Sequence, residues 1–192
     1  AVGGCVRGLL RGAVPHDWDV TTSARPEEVM ALFPGRCIPT GLPHGTVTVR
    51  ENHQSIEVTT FRADGPYDDG RHPRSVTFST RIEDDLARRD FTVNAILQDA
   101  LTGEIVDPFG GEVDLRRGIL RATPGEGFCD DPLRVLRGAQ FASRFHLSPD
   151  EETLARMRTM KTDDLSPARV LGEMKKAMAG DAPDVFFDVL RQ

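Results

Sequence analysis

The hydrophobic and polar positions of the chain change their pattern after about residue 122. Up to that point, short segments rich in β-branched residues alternate with short amphipathic segments, which predicts strands and helices in one α/β unit. The predicted strands are residues 18–20, 46–49, 56–60, 76–78 and a hairpin of 95–98 with 104–106. The predicted helices are residues 6–10, 25–33 and 82–88, and residues 62–74 are predicted to be a loop rich in Gly, Asp and Pro.

From residue 123 onward the pattern is that of helices. Segments 132–145, 149–160, 167–179 and 183–190 each carry a proline near the beginning, where the missing N–H costs nothing. Ser148 and Ser166 precede two of these prolines and are candidate N-caps. The change of pattern therefore predicts two domains, an α/β head of residues 1–122 and an all-helical neck of residues 123–192.

The composition restricts the class of protein without indicating a function. Hydrophobic residues make up 39% and charged residues 28% of the chain, as in an ordinary globular protein. No apolar run is long enough to cross a bilayer and the start shows no charged-then-apolar leader, so we expect no membrane contact. Three widely spaced cysteines fit a reducing cytoplasm better than a disulfide framework or a zinc site. The net charge of −6 gives no general support for nucleic-acid binding, so any such surface must be local.

A pair of carboxylates is the first candidate for chemistry. Asp17 and Asp19 flank Trp18 on a predicted strand, where residues two apart point to the same face. Two like charges so close are costly unless they are protonated or bridged by cations, and hard oxygen ligands suit Mg²⁺. Glu57, on a second predicted strand, is a candidate third carboxylate. Such a set can hold the metal ions of an in-line phosphoryl transfer.

A Gly-Gly pair ahead of the first predicted helix is the second candidate. Gly3 and Gly4 allow the backbone to approach a polyphosphate closely, and the helix that follows offers free N–H groups and a positive dipole end. Neither signal is specific alone, because Asp-x-Asp is common in turns and a single Gly-Gly is weak. These residues by themselves leave open whether the region is a catalytic site or an ordinary turn.

Longer motifs resemble one family. In chain order they are Gly3-Gly4-x-Val6-Arg7, Asp17-x-Asp19, Glu57-Val58-Thr59-Thr60-Phe61-Arg62, Asp85-Leu86-x-Arg88-Arg89-Asp90-Phe91-Thr92-Val93-Asn94-Ala95, Asp107-Pro108-Phe109-Gly110-Gly111 and Asp130-Asp131-Pro132-Leu133-Arg134-x-x-Arg137. Together they resemble the class II tRNA nucleotidyltransferases (CCA-adding enzymes) and bacterial poly(A) polymerases over essentially the whole chain. The resemblance implies a polymerase-β-like nucleotidyltransferase head of α/β (α+β) class with a mixed sheet, followed by an all-helical neck.

The resemblance also implies roles for residues around the reacting phosphate. Asp17 and Asp19 would hold Mg²⁺, with Glu57 as the third catalytic carboxylate. The residues implied to line the triphosphate and sugar of the incoming nucleotide are Gly4, Arg7 and Arg89. Without the resemblance, Arg88 or Arg89 could simply pair with Asp90.

The resemblance also implies which residues recognise the base of the nucleotide. By resemblance, Asp131 and Arg134 read the base and Arg137 supports them. On a helix that begins near Pro132, steps of three residues drift slowly around the axis, so these side chains share one flank. Cytosine and adenine present an amine donor beside a ring-nitrogen acceptor, which an Asp acceptor beside an Arg donor matches, whereas uracil and guanine present the reverse. In isolation, a surface ion pair would explain Asp-x-x-Arg equally well.

The implied activity is template-independent addition of CMP and AMP, from CTP and ATP, to tRNA 3′ ends, with no protein partner evident. A poly(A) polymerase of the same family is one alternative, although the acidic loop at residues 64–70 stands where those enzymes usually carry basic residues. We expect this loop to be flexible and to help position primer or nucleotide. A catalytically weakened RNA-binding relative is the other alternative.

The chain departs from the family pattern in composition and in length. Gly8 stands where an Asp is usual, Arg11 where an apolar residue is common and Gln140 where many members have Arg. Family members also carry helical body and tail domains. Because the chain stops in the neck at Gln192, we expect it to be part of a longer protein.

Overall fold

The computed structural model describes residues 1–65 and 75–192 of the chain. Most of the acidic loop at residues 64–70 lies outside the described residues, and so does its expected role in positioning primer or nucleotide. Among the helices of the described ranges, none combines the length and the apolar character needed to cross a membrane.

A four-stranded mixed sheet with helices beside it forms the first part of the chain, as the resemblance implies. Its elements are α1 (Gly4–Leu10), β1 (Trp18–Thr22), α2 (Pro26–Leu32), β2 (Cys37–Gly41), β3 (Thr46–Glu51) and β4 (Gln54–Thr60). The strand order is β1-β4-β3-β2, in which β1 and β4 run parallel and the other neighbours antiparallel. Strand β2 was not predicted, because Pro39 and Gly41 interrupt its sequence pattern. In the structure, its register with β3 shifts between Ile38 and Gly41.

Helix α2 covers one face of this sheet. Its Val29 packs against Val47 and Val49 of β3, and all three side chains are buried. Val47 and Val49 are two residues apart and therefore point to the same side of the strand. Because side chains alternate between the two faces along a strand, polar side chains of β4 point to the other face of the sheet. That face carries the site.

Short strand pairs and two helices connect the sheet to the second part of the chain. They are β5 (Arg62–Asp64), β6 (Val76–Phe78), α3 (Ile82–Ala87), β7 (Leu97–Gln98), β8 (Ile105–Val106), α4 (Gly111–Arg117) and β9 (Ile119–Leu120). The predicted hairpin is confirmed in the antiparallel pair of β7 and β8. The prediction of a loop from residue 62 is wrong at its start, because Arg62–Asp64 pairs with Val76–Phe78.

Four helices make up most of the remainder, as predicted. The elements are α5 (Leu133–Phe145), β10 (Ser148–Pro149), α6 (Glu151–Thr159), α7 (Pro167–Met178) and α8 (Pro183–Arg191). The prediction that Ser148 caps a helix is wrong, because Ser148 pairs with Ile119 of β9 and Asp150 is the cap, accepting from the Thr153 N–H at 2.9 Å. Ser166 does occupy the N-cap position of α7, but its side chain makes no capping hydrogen bond.

One hydrophobic cluster joins the two parts. It contains Phe91 and Leu120 from the first part together with Ala139, Met157 and Phe186 from the helices. Phe91 also makes edge contacts with Phe128 and Phe141, with ring centroids 5.4 and 5.6 Å apart. The division at residues 122 and 123 stays a prediction, and packing is continuous across it. The segment around Phe91 is therefore held firmly, together with the charged residues that precede it.

Candidate functional site

Strands β1 and β4 place two carboxylates side by side. Asp19 of β1 lies opposite Glu57 of β4 in parallel register, so their side chains project from the same face, and both line a cavity of about 250 Å³. The prediction that Asp17 lies on the same strand is wrong, because β1 begins at Trp18 and Asp17 is exposed ahead of it. Burial raises the pKa of Asp19, Arg89 opposes the rise and the charge of Asp17 adds to it.

These carboxylates are the residues that could hold a metal ion. Within residues 1–65 and 75–192, no three acidic, His or Cys side chains lie close enough together to form a complete metal site. The carboxylates of Asp17, Asp19 and Glu57 nevertheless have no hydrogen-bond or ion-pair partner among the described residues. Two hard oxygen donors on adjoining strands, with a third on the segment ahead of β1, are the donor set that Mg²⁺ favours.

The turn before α1 brings the main chain next to an arginine. Gly3 has φ +73°, and its N–H donates to the carbonyl oxygen of Ile96 at 3.0 Å. A Cβ at this position would lie 2.9 Å from Nη1 of Arg89. Position 3 thus requires glycine both for its left-handed backbone and for the close approach of Arg89. Gly4, the first residue of α1, is exposed beside the larger cavity of the site.

One buried carboxylate holds both arginines at the end of α3. Arg88 donates from Nε and Nη2 to Oδ1 of Asp85 at 3.0 and 2.7 Å, and Arg89 donates from Nη2 to Oδ2 at 2.9 Å. The hydroxyl of Thr21 donates to the same Oδ2 at 3.1 Å. Burial alone would raise the pKa of Asp85, but the two guanidinium groups outweigh it and lower the pKa. The alternative pairing of Arg88 or Arg89 with Asp90 is therefore wrong.

Asp90 holds a different set of side chains. Arg137 donates from Nε and Nη2 to Oδ2 of Asp90 at 2.8 and 2.6 Å, and Asn94 donates from Nδ2 to Oδ1 at 2.8 Å. Arg7 in turn donates to the amide oxygen of Asn94. Burial alone would raise the pKa of Asp90, but the charges of Arg137 and Arg134 and the hydrogen bonds lower it to about 2. Burial, the largest cause, lowers the pKa of Arg7 to about 10.

Asp131, just ahead of α5, has a partner that the sequence analysis did not identify. Nη2 of Arg169, on α7, donates to Oδ1 and Oδ2 of Asp131 at 2.9 and 3.0 Å. The Leu133 N–H also donates to Oδ1, at 3.0 Å. A separation of 38 residues joins Asp131 to Arg169, so no helical spacing could have indicated the pair. The carboxylate is thus fixed from two directions.

Arg134 lies in the first turn of α5 and is only 8% exposed. Its guanidinium donates to the carbonyl oxygens of Arg88 and Gly127, each at 2.7 Å. The predicted flank is present, since Asp131, Arg134 and Arg137 face one cavity. The predicted support of the pair by Arg137 does not take the form of an ion pair with Asp131, because the carboxylate that Arg137 binds is that of Asp90.

A cavity of about 460 Å³ collects most of the predicted residues, and a cavity of this size suits a small-molecule ligand. The predicted residues that line it are Gly4, Arg7, Asp19, Arg89, Asp131, Arg134 and Arg137. Asp17 and Glu57 lie outside this lining. Residues that line it without having been assigned a role include Asn94, Gln140, Phe141, Arg144 and Lys176. Their positions depend on how the helices pack, which no local motif records.

Comparison with known proteins agrees with the motifs. The family described as "Poly A polymerase head domain" matches residues 1–121. The CCA-adding enzyme of Geobacillus stearothermophilus is 47% identical over 184 residues, and that of Oceanobacillus iheyensis is 44% identical over 183. Each match covers 93% of this chain and 45% of the relative. The chain therefore spans about half the length of the curated relatives it matches.

Solved structures share the fold beyond the region matched by the family. The crystal structure of the Bacillus stearothermophilus CCA-adding enzyme in complex with CTP superposes with a TM-score of 0.87 at 40% identity, covering 98% of this chain and 46% of that one. The Thermotoga maritima CCA-adding enzyme complexed with tRNA gives 0.78 at 27% identity, covering 100% and 45%. The chain belongs to the family of the poly(A) polymerase head domain, the tRNA nucleotidyltransferases and bacterial poly(A) polymerases that its motifs resemble.

Proposed function

We propose that the chain is the catalytic head and neck of a tRNA nucleotidyltransferase that adds CMP and AMP, from CTP and ATP, to tRNA 3′ ends. The observation that carries the proposal is the cavity that joins the Asp19 carboxylate, the turn at Gly4 and the pair Asp131 and Arg134. The relatives at 44% and 47% identity are named CCA-adding enzymes, and solved relatives are in complex with CTP and with tRNA. A cytoplasmic location is part of the same proposal.

Mg²⁺ is the metal that the residues fit. Asp19 and Glu57 would hold it from the face of the sheet, and Asp17 from the segment ahead of β1. Burial and the charge of Asp17 disfavour the ionised form of Asp19, so a bound cation would stabilise that carboxylate. When bound, Mg²⁺ activates the attacking hydroxyl and neutralises charge on the transferred phosphate. The protein supplies the carboxylates in a fixed register, which sets where that chemistry takes place.

Arg7 and Arg89 are suited to bind the triphosphate because other side chains already fix them. Arg89 is held by Asp85 at 2.9 Å and Arg7 donates to Asn94. Donors held in place before the ligand arrives need little reorganisation when negative charge develops. Gly4 leaves the main chain open beside them, so a phosphate oxygen can approach the backbone closely.

The base would be read by a fixed acceptor beside a fixed donor. Arg169 and the Leu133 N–H orient Asp131, and two carbonyl oxygens orient Arg134. A base with the reversed pattern would leave buried polar groups unpaired, which costs roughly 1–3 kcal/mol for each group. Selection of CTP and ATP over UTP and GTP therefore needs no nucleic-acid template.

The proposal is tested by calorimetric binding of CTP, ATP, GTP and UTP with Mg²⁺. We expect CTP and ATP to bind at least about tenfold more tightly than the other two, and Asp131→Asn to lose this preference. The variant keeps an oxygen for the Leu133 N–H, so the start of α5 is preserved. The control is Asp164→Asn, at an exposed position between α6 and α7.

Three results would decide against the proposal as stated. Equal binding of all four nucleotides to the unaltered chain would contradict selection by the protein. A preference that survives Asp131→Asn would place base reading elsewhere. Binding of ATP alone would favour a poly(A) polymerase of the same family.

A further inference from the structure

Three guanidinium groups surround one aromatic ring at the edge of the large cavity. The Cζ atoms of Arg7, Arg11 and Arg144 lie 4.4, 5.3 and 5.2 Å from the centroid of the Phe145 ring. Arg7 lies on α1 and Arg11, four residues later, follows the end of that helix, whereas Arg144 and Phe145 end α5. Arg11 also donates to the carbonyl oxygen of Phe145 at 3.1 Å, which joins the ends of the two helices.

This concentration of positive charge is not balanced locally. None of Arg7, Arg11 and Arg144 has a carboxylate within 4.0 Å among the described residues. Burial is the largest cause that lowers the pKa of Arg7; the charge of Asp90 opposes it, and the charges of Arg137, Arg144 and Arg11 lower the pKa further. The chain carries a net charge of −6, so the positive charge of this arginine group is opposite in sign to the charge of the whole chain. Like charges held together without counter-ions favour binding of an anion.

The three arginines run from the interior of the cavity to the outside. Arg7 and Arg144 line the cavity together with Asp19, whereas Arg11 is exposed and lies outside the lining. Phe145 is partly exposed between them. An anion held by Arg11 and Arg144 would therefore lie at the outer edge of the nucleotide site.

We propose that Arg11 and Arg144, on either side of Phe145, form an outer phosphate site for an internucleotide phosphate of the RNA strand whose 3′ end is extended. This inference rests on the proposed function and adds a binding site for its RNA substrate. An internucleotide phosphate suits the position better than the nucleotide triphosphate, because Arg11 lies outside the cavity. Positively charged side chains that follow the phosphate backbone hold single-stranded RNA without reading its sequence.

The test measures binding of two probes to the 192-residue chain. One probe is a fluorescently labelled single-stranded RNA of six nucleotides, followed by anisotropy at several salt concentrations, and the other is CTP with Mg²⁺. The variants are Arg11→Ala, Arg144→Ala and the double variant. Arg11→Lys and Arg144→Lys retain the charge. Arg116→Ala, at an exposed position on α4 paired with Glu112, is the control that removes one positive charge elsewhere.

Each alanine substitution is expected to weaken RNA binding about fivefold and to reduce the salt slope by about 0.7, and the effects should add in the double variant. The lysine variants should keep most of the slope. Arg11→Ala should leave CTP binding within about twofold of the unaltered chain. Arg116→Ala should change neither probe. Thermal melting should show unchanged folding for all of these exposed positions.

Several results would overturn the inference. If the chain did not bind RNA at low salt, or if the double variant bound it as well as the unaltered chain, the proposed phosphate site would be contradicted. A loss of CTP affinity in Arg11→Ala equal to the loss of RNA affinity would assign Arg11 to the triphosphate. Failure of the proposed function is distinguishable, because it would appear as unselective nucleotide binding while RNA binding still depended on Arg11 and Arg144.

Discussion

The candidate site contains two sets of carboxylates that are held in opposite ways. We call Asp85 and Asp90, with the arginines they bind, the wall, and Asp17, Asp19 and Glu57 the floor. Both wall carboxylates are buried, have a lowered pKa and are bound by guanidinium groups at 2.6–3.0 Å. The floor carboxylates have no ion-pair partner among the described residues, and the pKa of Asp19 is raised.

The wall carboxylates find their partners when the chain folds, whereas the floor carboxylates find theirs only when a ligand binds. A buried ion pair that loses one partner leaves a buried charge without compensation, so the wall must be formed for the protein to be stable. The floor carboxylates form no ion pair with any described residue, and the charge of Arg89 opposes only part of the rise in the pKa of Asp19, so a bound cation would stabilise them. Residues of the wall are therefore expected to affect stability when they are changed, and residues of the floor to affect cation and nucleotide binding.

The largest expected effect is that of Asp85→Ala. The substitution removes the partner of both Arg88 and Arg89 and of the Thr21 hydroxyl. We expect the free energy of unfolding to fall by about 3 kcal/mol, measured by urea denaturation. Because Arg89 is also released, nucleotide binding should weaken with it.

The matched control for that prediction is Glu57→Ala on the floor. Glu57 is exposed on β4 and its carboxylate makes no ion pair with any described residue. Its free energy of unfolding should stay within about 0.5 kcal/mol of the unaltered chain. Equal losses in the two variants would show that the wall and the floor do not differ in the way described.

The second effect is the dependence of stability on pH through Asp90. Its pKa is about 2 in the folded chain and 3.8 ordinarily, so the unfolded chain binds the proton more readily. The resulting stabilisation, about 2 kcal/mol, is present above about pH 4 and is lost as the pH falls towards 2. The unaltered chain should therefore be more stable than Asp90→Asn at pH 6, and the two should converge near pH 2. Denaturant unfolding at each pH measures the difference.

Asp163→Asn provides the comparison, since Asp163 is exposed between α6 and α7. Its stability should follow that of the unaltered chain at every pH. A constant difference between the unaltered chain and Asp90→Asn from pH 6 to pH 2 would mean that the carboxylate of Asp90 is not held by charge.

The motifs predicted most of the cavity but not what holds it together. The spacing of Asp131, Arg134 and Arg137 is local, so the sequence could indicate their common flank, and all three line one cavity although Asp131 lies just ahead of α5. The strand signals of β3 and β4 were equally local and correct. Asp85 belongs to the quoted motif, yet its role as the anchor of Arg88 and Arg89 was not predicted, because charged helix ends are usually solvated.

Contacts between distant segments account for the other misses. Arg169 reaches Asp131 only because α7 packs against the start of α5, and Arg7 reaches the same Phe145 ring as Arg144 only because α5 ends beside α1. Neither arrangement has a periodicity or spacing that a single sequence records. The placement of Asp17 ahead of β1 was missed for a different reason, since a two-residue period cannot fix where a strand begins.

The smallest expected effect concerns two glycines near the start of the chain, one beside the wall and one away from it. At Gly8, in the interior of α1, a Cβ would have no atom within 4 Å, so Gly8→Ala should raise the free energy of unfolding by about 0.5–1 kcal/mol without touching the cavity. At Gly3, φ is +73° and a Cβ would meet Nη1 of Arg89 at 2.9 Å. Gly3→Ala should therefore lower stability and weaken CTP binding. Thermal unfolding and CTP titration of both variants distinguish a glycine that shapes the wall from one that the helix merely tolerates. A gain of stability in Gly3→Ala would contradict the close approach of Arg89 to the turn.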